Sequence, residues 1–451
     1  MTHRPHQLAC FALLGAFALA CSDDAGNAAD ESAAASDTCD ETRRPIVFVH
    51  GFFASGDSFS NHVQRFASNG YCEERIFAFN WDTSSMQGLG AGNVETAVPL
   101  LDAFVDEALA KTGAEQIDLG GHSQGGQLGM AYLSAPERAA KVAHYAHFGS
   151  FALPDGPPGG VPTINIWSPA DAQAANGGGF PGVPDVELGD QDHFQMATSP
   201  ESFLATFEHF NDGESPETTE IVAEDTIEVS GLAVGFGDNL PSPGGTIDVY
   251  AIDGETAERR SETPVATFTG DGAGIWGPFT AEPDTYYEIH ATSAIGQIHV
   301  YREPFVRSHP LVYVRSMPAQ GSLTFTMLNS YQMTPDAFDD AEARLTFNTS
   351  GQSVRFGRDT LTVDGENVAT AEIAEPSNTT LAVFFNDGNG NGQSDLVPSG
   401  GLPIQLPFLT GFDQVFPSDP ARAIPVVFNG RTINVRNWKS KSEGASVVVF
   451  D

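Results

Sequence analysis

Short apolar runs rich in β-branched and aromatic residues alternate with segments of helical spacing through the first 212 residues. Pro45 to His50, stopped by Gly51, is apolar throughout rather than alternating, which predicts a strand buried on both faces. Arg75 to Phe79 repeats that pattern. After Asn93, a helix-capping residue type, Val94, Ala97, Val98, Leu101, Phe104, Val105, Ala108 and Leu109 fall three and four apart until Gly113, which predicts an amphipathic helix. Gln116 to Leu119, Val142 to Phe148 and Thr163 to Trp167 read as strands, and Gln124 to Lys141 and Pro200 to Phe210 as helices. Such alternation predicts an α/β domain with a mostly parallel sheet over residues 41–216.

The pattern changes at Pro216. Thr226 to Val234, Thr246 to Ile252, Tyr286 to His290, Gln297 to Tyr301, Leu311 to Arg315, Ser322 to Met327, Leu381 to Phe385 and Ala445 to Phe450 read as strands separated by Gly, Pro and Asp clusters. Helical spacing returns only at Thr334 to Arg344. The expectation is an all-β C-terminal region, a sandwich or barrel, with a break near Val306 to Pro310 that separates a 217–306 subdomain from a 307–451 one. The 451 residues, with 47 Gly and 29 Pro, fit two or three turn-rich domains and exclude both a small disulfide-stapled scaffold and an all-helical protein.

Residues 1–20 begin with His3, Arg4 and His6 and continue in an apolar run to Ala20, too short to span a bilayer stably, and read as an export signal. The run ends in Ala18-Leu19-Ala20-Cys21. That end resembles a bacterial lipoprotein lipobox, implying a lipid and membrane anchoring at Cys21, and equally fits an ordinary cleavage site and plain secretion. Residues 21–40 have the composition of a disordered tether. Of the four cysteines, Cys39 and Cys72 remain as a pair for an oxidising compartment, either two unrelated thiols or a disulfide contributing roughly 3 to 4 kcal/mol. The net charge of −38 would repel a phosphate backbone over most of the surface, so nucleic acid is excluded as a partner.

Chemistry concentrates at Gly121-His122-Ser123-Gln124-Gly125, a G-x-S-x-G pattern between a predicted strand and a predicted helix. The context predicts a serine on a tight turn at the top of the sheet. A serine hydroxyl is a weak nucleophile and needs a general base and an acid to orient it, in the chain order serine, acid, histidine. The acids that follow are Asp155, Asp171, Asp185, Glu187, Asp190 and Asp192, of which only Asp171 lies just beyond the end of a credible sheet strand. The candidate bases are His193, in a loop, and His209, at a helix end where a histidine more often packs or offsets the helix dipole. The assignment is therefore Ser123, His193 and Asp171. The backbone N–H groups of Gln124 and Phe52 are the candidates for an oxyanion hole.

With these residues in place, Pro45 to Gly51, Gly121 to Gly126, Ile166 to Asp171 and Asp192 to Ser199 resemble the bacterial class 2 lipases of the α/β-hydrolase superfamily. The β-rich remainder is similar in arrangement to an archaeal lipase with a C-terminal β-domain, which implies long-chain acyl esters as substrates. The resemblance implies a carboxylic ester hydrolase, foremost a triacylglycerol lipase, working through an acyl-enzyme and needing no cofactor for catalysis. Acyl transfer by the same residues, and an envelope protein whose β half binds lipid or polysaccharide, stay open beside it.

Phe52, Phe53, Phe59, Met86, Leu89, Phe151 and Phe180 are an apolar set suited to an acyl chain or to a core. Residues 84–93, 155–161 and 177–184 are candidates for a covering element. Asp387, Asn389, Asn391, Gln393 and Asp395 stand at calcium-loop spacing around Gly392, with Pro398 where the bidentate Glu would be. Structural calcium and a plain turn are both open.

Overall fold

The computed structural model describes residues 39–84, 92–151, 156–174, 177–242, 244–377, 379–401, 406 and 408–451. The predicted export signal, Cys21, most of the tether, Met86, Leu89 and Asp155 lie outside the described residues, as does most of the 84–93 segment.

Six strands, β1 (Ile46–Val49), β2 (Ile76–Phe79), β3 (Ile117–His122), β4 (Val142–Phe148), β5 (Thr163–Trp167) and β6 (Asp185–Glu187), form one sheet in the order β2-β1-β3-β4-β5-β6. Every pairing is parallel. Helices cover both faces, which explains strands that are apolar throughout. Val47, Val49 and Leu119 pack toward α2 (Gly92–Thr112) and α3 (Gln124–Leu133). Ile46, Phe48, Phe148 and Ile166 pack toward α1 (Ser60–Ser68) and α5 (Pro200–Phe210). The expected helix over Gln124 to Lys141 is two: α3 ends at Leu133, and Pro136 opens the short α4 (Pro136–Ala139). This is the α/β-hydrolase arrangement expected from the sequence. A Cys39–Cys72 disulfide ties the chain ahead of β1 to the segment ahead of β2.

The β half is built on one eight-stranded mixed sheet. Its strands are β8 (Thr246–Ile252), β9 (Ala266–Thr269), β11 (Tyr286–Thr292), β12 (Gln297–Arg302), β15 (Leu345–Thr349), β18 (Ala382–Asn386), β19 (Leu409–Asp413) and β23 (Ala445–Phe450), in the order β19-β18-β15-β23-β12-β11-β8-β9. Tyr301, Phe347, Val448 and Phe450 face a four-stranded sheet made by β16 (Leu361–Val363), β17 (Glu366–Asn367), β21 (Ala423–Phe428) and β22 (Arg431–Arg436). On the opposite face Ile247, Val249, Ile289, Val300 and Val449 meet a three-stranded sheet of β7 (Ile227–Gly235), β10 (Ile275–Ala281) and β13 (Val314–Ser316). The region is therefore a layered sandwich. β12 and β23 are hydrogen-bonded neighbours from either side of the expected break at 306–310, so the two expected subdomains share a sheet.

Two local expectations are corrected. Ser322 to Met327 is not a strand but the start of helix α6 (Leu323–Ser330), because the Ser322 hydroxyl caps it by accepting the Phe325 N–H at 3.0 Å. Thr334 to Arg344 is not a helix: one tight turn at Pro335–Ala337 gives way to strand β14 (Glu342–Ala343), paired with β20 (Phe416–Pro417).

Candidate active site

All six parallel strands end at one edge, where the connecting loops gather. Ser123 stands between β3 and α3 with φ 55° and ψ −122°, a strained left-handed conformation for a residue with a Cβ. The turn closes because glycines flank it. A Cβ on Gly121 would lie 2.5 Å from the Gly125 carbonyl oxygen, and one on Gly125 only 2.2 Å from that of Val49. The Ser123 N–H donates to the Phe148 carbonyl at 2.9 Å and ties the turn to β4.

Asp171 follows β5 and is fully buried. Its Oδ1 accepts the N–H groups of Gln173 at 2.8 Å and Ala174 at 2.9 Å, which leaves Oδ2 for His193 Nδ1 at 2.8 Å. Burial pushes the carboxyl up, but the His193 hydrogen bond and charge, with the two backbone donors, outweigh it and hold Asp171 below its ordinary 3.8. His193 Nε2 stands 3.0 Å from Ser123 Oγ. With Nδ1 donating to the carboxylate, Nε2 is the acceptor that faces the serine O–H. The three residues chosen from sequence thus meet in one hydrogen-bonded row. His209 does not join them; its Nε2 lies 3.2 Å from the Pro162 carbonyl and its ring against His144.

Several positioning residues escaped the sequence reading. His122 donates from Nε2 to the His193 carbonyl at 2.8 Å, and burial pushes its own pKa down to about 3. Asp192 accepts the N–H groups of Phe194 and Gln195 at 3.0 Å each on Oδ1. Its Oδ2 accepts both terminal nitrogens of Arg358 at 3.1 Å and the Ser353 N–H at 3.2 Å. The turn that carries His193 is therefore clamped by the β half.

The loop after β1 is held the same way. A Cβ on Gly51 would lie 2.8 Å from Ser123 Cβ, so this backbone runs directly beside the serine and Phe52 follows it. His50 donates from Nδ1 to the Gly51 carbonyl at 2.8 Å and accepts the Trp81 N–H at 3.2 Å on Nε2; burial pushes its pKa down to about 4. Asn239, just past β7, donates to the Ala54 carbonyl at 2.7 Å and the Trp81 carbonyl at 3.2 Å. Arg315 of β13 donates to Asp57 at 2.7 Å and to Ser55 at 2.6 Å.

Between these loops and the eight-stranded sheet lies a cavity of about 170 Å³. Phe53 and Phe194 line it from the hydrolase side, and Val300, Phe384, Phe408 and Val447 from the β side. Of the apolar set expected to hold an acyl chain, Phe53 reaches this cavity and Phe52 packs its ring on Phe53. Phe59 and Phe180 are core, and Phe151 is exposed.

The five residues at calcium-loop spacing share one loop after β18. Both Asp387 oxygens accept backbone N–H groups, from Gly390, Asn391 and Gly392, and Asp413 of β19 reaches the same loop through the Gly388 and Asp395 N–H groups. Among the described residues, the only group of three His, Cys, Asp or Glu ligand atoms close enough to share an ion is Cys39, Cys72 and Glu74, and its sulfurs are spent in the disulfide. No described helix is long and apolar enough to cross a membrane.

Parts of the chain are similar to known proteins. Residues 43–135 match the class 2 lipase family, residues 225–318 the lipase C-terminal domain, and residues 349–451 a further C-terminal domain family. Similar solved structures include an α/β-hydrolase enzyme from the sediment metagenome of the Mar Chica lagoon in Morocco (19% identity, 39% of this chain and 92% of that chain, TM-score 0.30). An esterase from Rhodococcus sp. matches at 13% identity over 39% and 92% of the two chains, with a TM-score of 0.31. Aspergillus fumigatus lipase B matches at 14% over 39% and 54%, with a TM-score of 0.29. The chain is thus similar to the class 2 lipase family over residues 43–135 and to the lipase C-terminal domain over residues 225–318, and it is a serine ester hydrolase.

Proposed function

We propose that the protein hydrolyses acyl esters of the triacylglycerol class through a Ser-His-Asp acyl-enzyme. The observation that carries this reading is the hydrogen-bonded row Ser123 Oγ, His193 Nε2, His193 Nδ1, Asp171 Oδ2, at 3.0 and 2.8 Å. Ser123 Oγ attacks the ester carbonyl carbon while His193 Nε2 takes its proton. Asp171 holds the imidazole tautomer and stabilises the imidazolium. The negative charge that develops on the carbonyl oxygen is met by the N–H groups of Phe52 and Gln124, whose backbones flank the serine; losing one such donor typically costs about 10²- to 10³-fold in rate. The proton passes to the leaving alkoxide as the C–O bond breaks. Water, deprotonated by His193, then releases the carboxylic acid and restores the serine.

The cavity between Phe53, Phe194 and the β sheet supports an acyl chain as the group held beside the serine, since its walls are mostly apolar. Export, with a lipid anchor at Cys21, completes the proposal and agrees with the Cys39–Cys72 disulfide. Turnover of 4-nitrophenyl esters of graded chain length tests it. Wild type is expected to favour chains beyond the shortest, and Ser123→Ala to lose on the order of 10⁴- to 10⁶-fold in kcat; equal rates for the two proteins would refute the assignment.

A further inference from the structure

The turn that carries Phe52 is strained. The Ala54 N–H donates to the Gly51 carbonyl at 3.3 Å and closes a four-residue turn whose third residue, Phe53, has φ 57°. Turns ordinarily place Gly or Asn at such a position, since a Cβ makes the left-handed region costly. Strain of this sort persists only where neighbouring groups over-determine the backbone. Thr83, itself buried, is one such neighbour: its hydroxyl accepts the Phe53 N–H at 2.8 Å. The Phe52 N–H, by contrast, donates to none of the described residues.

Further ties come from the β half, where the 236–239 segment after β7 wraps Phe53 and Ala54. Phe236 sets its ring edge-on to that of Phe53 at 6.3 Å. A Cβ on Gly237 would lie 2.5 Å from Thr324 Cγ2 and 3.1 Å from Phe53 Cε1, so glycine lets the segment close on the ring. Asn239 is buried at φ 56°, a conformation that asparagine tolerates. Its Nδ2 donates to the Ala54 carbonyl at 2.7 Å and the Trp81 carbonyl at 3.2 Å, and stands 3.5 Å from His50 Nε2. One amide thus joins the strained turn to the segment whose Thr83 holds its other side.

We propose that Asn239 is a positioning residue for ester hydrolysis, fixing the Gly51–Ala54 turn so that the Phe52 N–H stays directed at the oxygen on which negative charge develops. This rests on the reading of Phe52 as an oxyanion donor. The hydrolase domain then borrows part of its oxyanion hole from the β half. A backbone donor stabilises the transition state only when it is set in advance at the place the oxyanion will occupy. Loss of the Asn239 amide is therefore felt in the chemical step and hardly in ester binding.

Steady-state kinetics of the full chain on 4-nitrophenyl butanoate tests it. Asn239→Asp keeps the shape of the side chain but sets a carboxylate oxygen against two carbonyls; kcat should fall about 10²-fold, with KM within about twofold of wild type. Asn239→Gly keeps the left-handed backbone and only deletes the amide, and should lose about tenfold in kcat. Phenylboronic acid becomes tetrahedral on Ser123 Oγ and puts an oxygen where the ester's oxyanion forms, so each variant should bind it more weakly by a factor close to its loss in kcat. Asn434→Ala removes a comparable amide, which donates to the Gly254 carbonyl at 2.8 Å within the β half, and should leave kcat unchanged. Wild-type turnover that survives Ser123→Ala would sink the catalytic reading and this inference with it. Turnover that needs Ser123, while both Asn239 variants keep their kcat and boronic-acid affinity, leaves that reading standing and overturns the inference alone. A loss confined to KM, or matched by Asn434→Ala, overturns it as well.

Discussion

A single side chain from the β half sits two bonds of structure away from the proposed base. Arg358 forks onto Asp192 Oδ2, and Asp192 Oδ1 holds the backbone immediately after His193. Two guanidinium nitrogens converging on Oδ2 hold that oxygen in place and pair its charge, a geometry a single ammonium does not reproduce. Arg358→Met should therefore lower kcat by about tenfold or more with KM little changed, since misplacement of a base by about 1 Å can cost up to 10²-fold. Arg358→Lys should recover part of the loss by restoring charge without the fork. Steady-state kinetics on a soluble ester checks both, and an unchanged kcat in Arg358→Met would show that the turn holds itself. His122 works on the same turn from the opposite side, through the His193 carbonyl.

At the scale of elements, what could be read from sequence was what is local. β4, β5 and α5 begin and end where their apolar patterns do, because each buries a whole face and is bounded by turn residues. The Ser123 turn was legible for the same reason: its glycines and its strand-helix context are contiguous. α6 was missed because Ser322 caps a segment whose composition is equally suited to a strand, and only the position of Phe325 N–H decides. Asn239, Arg315 and Arg358 were illegible because their partners lie far away in the chain, at Ala54, Asp57 and Asp192. Asp413 belongs with them. The 387–395 spacing left calcium and a plain turn open, and Asp413 adds a carboxylate to the loop from β19, both its oxygens accepting backbone N–H groups there. Burial pushes the Asp413 carboxyl up, and repulsion from Asp395 and Asp387 adds to it, a charge state that a hard cation would relieve. Calcium is accordingly expected to raise the melting midpoint of wild type and to do so less in Asp413→Asn; a midpoint unmoved by chelator would remove the ion.

Over the whole molecule the buried titratable groups set how the fold answers to pH. His50, His147 and His309 are buried with pKa values pushed down to about 4, and His122 to about 3, burial being the chief cause in each. All four start from an ordinary 6.5 in the unfolded chain. The unfolded state therefore binds protons that the folded state refuses, so stability is complete above pH 6.5 and is lost as pH falls from there toward 4, each group contributing up to about 1.4 kcal/mol per pH unit. Asp171 acts lower down: its folded value lies below 3.8, so its contribution is present above that pH and disappears only below it. The acidic surface, net −38, stays largely ionised through the upper window; Glu73, pushed up to about 7 by burial, opposes the histidines there by up to one proton, and the four imidazoles outweigh it. The melting midpoint should thus fall steadily between pH 6.5 and 4.5, and His147→Gln, which keeps a neutral polar side chain beside Asn165, should flatten the slope by about one proton. Denaturant unfolding at half-unit pH steps measures it, and a stability flat across that window would mean that these imidazoles carry their protons inside the fold.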